Sequence, residues 1–265
     1  MKDQLPPQVQ ATPPQTETGP QQGTLQSNSA ATQDLGLDAP ATEKPPTIEL
    51  YGFRGVRSID DQPAKDLPEE DPRKVEMNRV IAQNYLLFAG HIGVSVDGGS
   101  KIYGLTPQVP EGMDLAQAKD ILHSHAATFP GRVADDKPVF DLADKYHREQ
   151  AWNTKVISVQ RQATPDEAAE LGEQLEEMAA MQPGEHGIFY SFPNEEAQGG
   201  QWFGDKPLVG DPNQVIPAEQ QANCATFPGM VGVPLPEASG NLRNYMPAMQ
   251  QEIAQGNGGT GLYGG

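Results

Sequence analysis

The chain of 265 residues contains a single cysteine, Cys224. That excludes an intrachain disulfide framework and any zinc site built on two or more thiolates. Cys224 is left as either a small buried hydrophobe or a reactive thiol. Aromatic residues are scarce at 6% and apolar residues reach only 36%, while 28 Gly and 25 Pro fill about a fifth of the chain. This composition points to a long unstructured stretch beside an ordinary core, and the roughly 200 residues that remain can bury one without metals or disulfides. Positive charge is also short: 18 Lys and Arg against 36 Asp and Glu give a formal net charge of −18. Such a surface repels phosphate backbones and anionic lipid, so neither nucleic acid nor an anionic membrane is expected as a partner. No apolar run approaches the ~20 residues of a membrane span, and residues 1–10 lack the apolar stretch of a secretory signal. The expectation is a protein made in the cytoplasm with no transmembrane segment, whose export would need another route. Phosphate-binding glycine signatures and a Gly-x-Ser-x-Gly elbow are missing too, and no cofactor is expected.

Residues 1–47 are dominated by Pro, Gln, Thr, Ser and Ala, with no aromatics and no sustained period. Burial there cannot offset the ~1–2 kcal/mol of backbone entropy lost per ordered residue, so a disordered tail is expected, acting as a tether or as a loading tag. A folded domain is expected over residues 48–249, followed by a flexible Gly-rich tail, 250–265. Within the domain, residues 85–96 read as one strand. The turn Asp97-Gly98-Gly99-Ser100 then leads into a second strand, 101–105, as in a hairpin. Helices are expected over 75–83, 114–123 and 142–148, and strands over 155–159 and 188–192. Thr164-Pro165-Asp166-Glu167 is a capping box with proline at the first helical position, opening a helix to about residue 181. The stretches around Pro130-Gly131 and Asp135-Asp136, and from 193 to 222, read as loops.

Few residues stand out chemically. A thiol gains nucleophilicity from a nearby imidazole or a helix N-terminus, and Ala225-Thr226-Phe227 could begin a helical turn just after Cys224. Among five histidines, His91 lies within an apolar strand. Alternation puts it on one face with Gly93 and Ser95, a face left small as though something must approach it, while Ile92, Val94 and Val96 occupy the core face. A satisfied structural histidine is the competing reading. His123 and His125 have no further ligands marked by spacing, and His186 reads as a solvent-facing turn residue.

Taken in order, these elements resemble the permuted papain-like cysteine hydrolases. That group includes lecithin:retinol acyltransferase relatives, permuted NlpC-type cell-wall peptidases and many bacterial effector toxins. Gly90-His91-Ile92-Gly93-Val94-Ser95-Val96-Asp97-Gly98-Gly99 is similar to the group's histidine strand. Val156-Ile157-Ser158-Val159, the capped helix, Asn223-Cys224-Ala225-Thr226-Phe227 and Gly232-Val233-Pro234-Leu235-Pro236 follow in the group's sequence, covering about residues 85–236. The resemblance implies an α+β, circularly permuted papain-like fold with a small antiparallel sheet and packed helices. It implies Cys224 as nucleophile, His91 as general base and backbone N–H groups around Cys224 for the oxyanion, with Asn223 as a candidate oxyanion or neighbouring polar residue. The group's third, orienting member is missing here, replaced by Tyr103, or supplied from elsewhere. The reaction implied is hydrolysis or transfer at an acyl or amide bond of a protein or peptide, through an acyl-enzyme. By analogy with effector toxins, residues 1–47 would address the chain to a secretion or injection apparatus. The competing reading is a non-catalytic binding or structural component of such an apparatus, with His91 and Cys224 far apart.

Overall fold

A computed structural model of the chain describes residues 46–55, 63–153, 155–195, 201–236, 242–259 and 262–263. The expected disordered tail lies almost wholly outside these residues. The architecture is mixed α+β, centred on one curled seven-stranded sheet in the order β11-β6-β4-β3-β2-β1-β5. Its strands are β1 (Thr47–Arg54), β2 (Gly90–Ser95), β3 (Tyr103–Pro107), β4 (Phe129–Asp135), β5 (Ile157–Gln162), β6 (Phe189–Tyr190) and β11 (Gln221–Ala222). Pairing is antiparallel throughout except between β6 and β11. Two small hairpins lie apart from it: β7 (Asn194–Glu195) with β8 (Gln201–Trp202), and β9 (Lys206–Leu208) with β10 (Asp211–Ile216).

The helices are α1 (Pro72–Gln83), α2 (Tyr85–Ala89), α3 (Leu115–His123), α4 (Lys137–Arg148), α5 (Pro165–Ala180), α6 (Phe227–Met230) and α7 (Leu242–Glu252). The expected strand over 85–96 is half helix. Asn84 accepts the Leu86 and Leu87 N–H groups on its side-chain oxygen and caps α2. Gly90, at φ 89°, then turns the chain into β2, a conformation that suits glycine. The capping box at Thr164 forms in both directions, with Glu167 N–H to Thr164 Oγ1 at 3.2 Å and Thr164 N–H to Glu167 Oε2 at 2.8 Å. Leu171, Leu175 and Met178 are the buried face of that helix, and burying such side chains is worth about 1.5–3 kcal/mol each.

The reading of 129–135 as a loop is corrected. Phe129, Gly131 and Val133 point into the core while Arg132 and Asp135 are exposed, the alternation of a half-buried strand. Pro130 and Gly131 hide that pattern, yet both sit in the ladder, Pro130 opposite Phe189 and Gly131 opposite Pro107.

The sheet separates two apolar clusters. Leu50, Ile92, Val94, Tyr103, Leu105 and Val133 pack with α5 and with Tyr245, Met246 and Met249 of α7. On the opposite face Tyr51, Phe53 and Ile102 pack with Met77, Val80, Leu87, Phe140, Tyr146 and Trp152. Both faces of β2 are therefore buried, and the expectation of a face left open beside His91 and Gly93 is corrected. A Cβ at Gly93 would meet the Ile102 side chain at 2.6 Å and the Phe140 ring at 3.3 Å, so it is the core of α4 that approaches. Among the described residues of the C-terminal stretch, the expected free tail is docked. Gly258 bridges to Val159, Gly259 N–H donates to Ser158 O at 3.0 Å, and Tyr263 OH donates to Asp141 at 2.8 Å.

Candidate active site

His91 is the second residue of β2, directly after Gly90, and is fully buried. The Phe53 and Phe140 rings lie 6.5 and 5.6 Å from it, centroid to centroid. Its Nε2 is 2.8 Å from Oδ2 of Asp136. Burial opposes charge on the imidazole. The hydrogen bonds and charges of Asp136 and Cys224 outweigh it, so that His91 is pushed up to about 9. The ring is therefore protonated at neutral pH.

Asp136 stands at the N-cap of α4, where an aspartate ordinarily accepts N–H groups of the first turn. Its side chain caps nothing. Asp135 takes up that work by accepting from Lys137 N–H and Ile102 N–H, both at 3.0 Å. This division frees the Asp136 carboxylate for the imidazole while keeping it at the helix N-terminus, where negative charge is favoured. The carboxylate reaches His91 across β3 at Gly104. A Cβ there would overlap both Nε2 of His91 and Oδ2 of Asp136, so a side chain at this position is excluded by space alone.

Cys224 follows β11, and three strands lie between β11 and β2 in the sheet. Curling of the sheet and a tight turn bring the thiol back to the imidazole, close enough to favour its protonated form. Asn223 builds that turn. Its Oδ1 accepts the N–H groups of Ala225 at 2.8 Å and Thr226 at 3.0 Å, and its carbonyl accepts Phe227 N–H at 2.9 Å. These bonds make Asn223 the cap of a short helical turn with Cys224 in first position. With Cys224 in first position, its N–H lies at the positive end of the turn. Nδ1 of His91 is buried with no hydrogen bond of regular geometry. Cys224 itself is 6% exposed.

The structure thus brings together His91 and Cys224, and it adds Asp136, which sequence reasoning placed in a loop. Two adjacent aspartates before Lys137-Pro138 mark a helix start, but only the tertiary structure shows which caps and which turns inward. Tyr103 does not orient the imidazole. It pairs with Val94 and lies on the other face of the sheet, its hydroxyl 3.5 Å from Glu176 and burial raising its pKa. Asn223 neighbours the thiol, with its side-chain oxygen committed to the turn. His123 and His125 cluster at Phe192, the first by ring contact at 5.6 Å and the second through Nδ1, 3.4 Å from the carbonyl. His186 is half-buried rather than solvent-facing, with Nδ1 accepting Ile188 N–H and burial lowering its pKa. Among the described residues no group of three or more His, Cys, Asp or Glu could hold a metal ion, and no helix is long and apolar enough to cross a membrane.

In comparisons with protein-family models, curated proteins and solved structures, nothing matches this chain.

Proposed function

We propose that this chain is a cysteine hydrolase of the permuted papain-like kind, acting on an amide or other acyl bond of a protein or peptide. The observation that carries the reading is a fully buried imidazole with a carboxylate on one nitrogen and the chain's one thiol beside the ring, in the chain order His91, Asp136, Cys224. A buried cationic imidazole is costly, and a purely structural histidine would be cheaper neutral.

In the proposed mechanism Cys224 and His91 react as a thiolate–imidazolium pair, the thiol proton already resting on the ring, and the Cys224 sulfur adds to the substrate carbonyl carbon. The resulting oxyanion is met by backbone N–H groups around Cys224. Collapse breaks the acyl–nitrogen bond, the amine leaves with the proton held on His91, and the acyl group stays on sulfur. Water, deprotonated by the now neutral His91, then releases the acid and regenerates the thiolate–imidazolium pair. Asp136 holds the ring in place and stabilises its charged form throughout. Delivery as an effector rests on residues 1–47, all but the last two outside the described residues; removing them is expected to stop export and leave the reaction intact.

The test is labelling of Cys224 by an iodoacetamide probe at pH 7, with expression in bacterial and eukaryotic hosts. Rapid labelling that drops at least a hundredfold in His91→Asn, with a growth defect lost in Cys224→Ala, supports the reading. Labelling no faster than a free thiol, with equal growth of wild type and Cys224→Ala, overturns it.

A further inference from the structure

Lys206 is one of two buried lysines among the described residues, and it is 4% exposed. The other, Lys74, has Glu69 at 2.7 Å. Lys206 has no carboxylate partner among the described residues, in a chain where acids outnumber bases two to one, 36 against 18. Its Nζ donates to Ser191 Oγ at 2.8 Å and to the Phe192 carbonyl at 2.6 Å. The ammonium carries three N–H groups, so one has no acceptor among the described residues. A buried cation held only by neutral oxygens costs stability, and burial lowers its pKa to about 8. At neutral pH it still carries most of its charge.

Its position gives that cost a use. Ser191 N–H donates to Ala222 O at 2.8 Å, extending the parallel β6–β11 ladder so that Ser191 stands beside Asn223, the residue before Cys224. The Lys206 segment is pinned to the same strand from its other side. Gln221 Nε2 donates to Gly204 O and Ile216 O, both at 2.8 Å. Neighbouring strands lie about 4.8 Å apart, which puts the ammonium on the order of 10 Å from the thiol. That is about three residues of extended backbone, or about one residue together with the length of its acidic side chain and a hydrogen bond.

Building on the hydrolase reading, we propose that Lys206 is a subsite for a carboxylate of the substrate, so that the scissile amide is one flanked by an acidic residue. The net charge of −18 repels acidic proteins at long range, and a desolvated cation at the site reverses that preference at contact, where screening is weakest.

Iodoacetate and iodoacetamide differ by one carboxylate and alkylate the same sulfur, so their rate ratio at Cys224 reads this charge without a known substrate. In Lys206→Met, which keeps the buried stem, the iodoacetate-to-iodoacetamide ratio is expected to fall on the order of tenfold, as for unit charges ~10 Å apart at an effective dielectric of ~20. The iodoacetamide rate is expected to hold, and Lys206→Arg to keep the ratio within about twofold. An unchanged ratio in folded Lys206→Met overturns the subsite and leaves the nucleophile standing. Failure of both reagents to label the wild type overturns the nucleophile as well. If Lys206→Met does not fold, the ratio is read on Lys206→Arg and wild type against salt. A ratio that falls as salt rises in both supports the proposal, and one insensitive to salt overturns it.

Discussion

Replacing Asp136 with asparagine keeps the side chain's shape and removes the charge that holds His91 protonated. In the wild type the imidazole is pushed from its ordinary value of 6.5 up to about 9 against the opposing effect of burial. A group whose pKa is raised on folding stabilises the protein fully below its unfolded value and loses that contribution as pH rises through the folded one. At about 1.4 kcal/mol per unit, His91 contributes on the order of 3 kcal/mol below pH 6.5, falling away by about pH 9 to 10. Without Asp136 the dominant remaining effect is burial, so the ring in Asp136→Asn is expected to be neutral at pH 7. Its stability then lacks the His91 slope. Urea unfolding followed by circular dichroism at pH 6, 7.5 and 9.5 should show the wild type ahead by about 3 kcal/mol at the lowest pH and the two proteins converging at the highest. Lys206 titrates near 8 within the same window, but it does so in both proteins and cancels in the difference. Parallel curves over the whole range would refute the claim that Asp136 sets the charge of His91.

Gly104→Ala would drive a methyl group between Asp136 and His91. It is expected to cost about 1–3 kcal/mol and to slow Cys224 alkylation at least tenfold, read by chemical denaturation and by mass spectrometry. Asn223→Ala removes the acceptor for two N–H groups of the Cys224 turn; a loss of about 1 kcal/mol in thermal unfolding is expected, largely restored in Asn223→Asp. Tyr103→Phe removes a long contact to Glu176 and the hydroxyl's exposed interaction with Lys101. Stability is expected within about 0.5 kcal/mol of wild type with alkylation unchanged, and a large fall in alkylation would return Tyr103 to the site.

What the sequence determined by itself is local. The cap at Thr164, the Asp97-Gly98-Gly99-Ser100 turn and the alternation through Ile92 and Val94 each depend on residues a few positions apart, where hydrogen-bond reach and side-chain period leave little choice. The singularity of Cys224 and the unusual setting of His91 were legible for the same reason. Tertiary structure decided what links them. Nothing in Asp135-Asp136 distinguishes the capping carboxylate from the one turned toward an imidazole 45 positions earlier. Gly104 looks like any strand glycine until two side chains are seen to meet above it, and Pro130-Gly131 reads as a break until a neighbouring strand is in place to pair with it. The thiol itself stands at the far edge of the sheet from His91 in strand order. Only the curl of that sheet, set by the packing of both faces at once, brings the two within reach of each other.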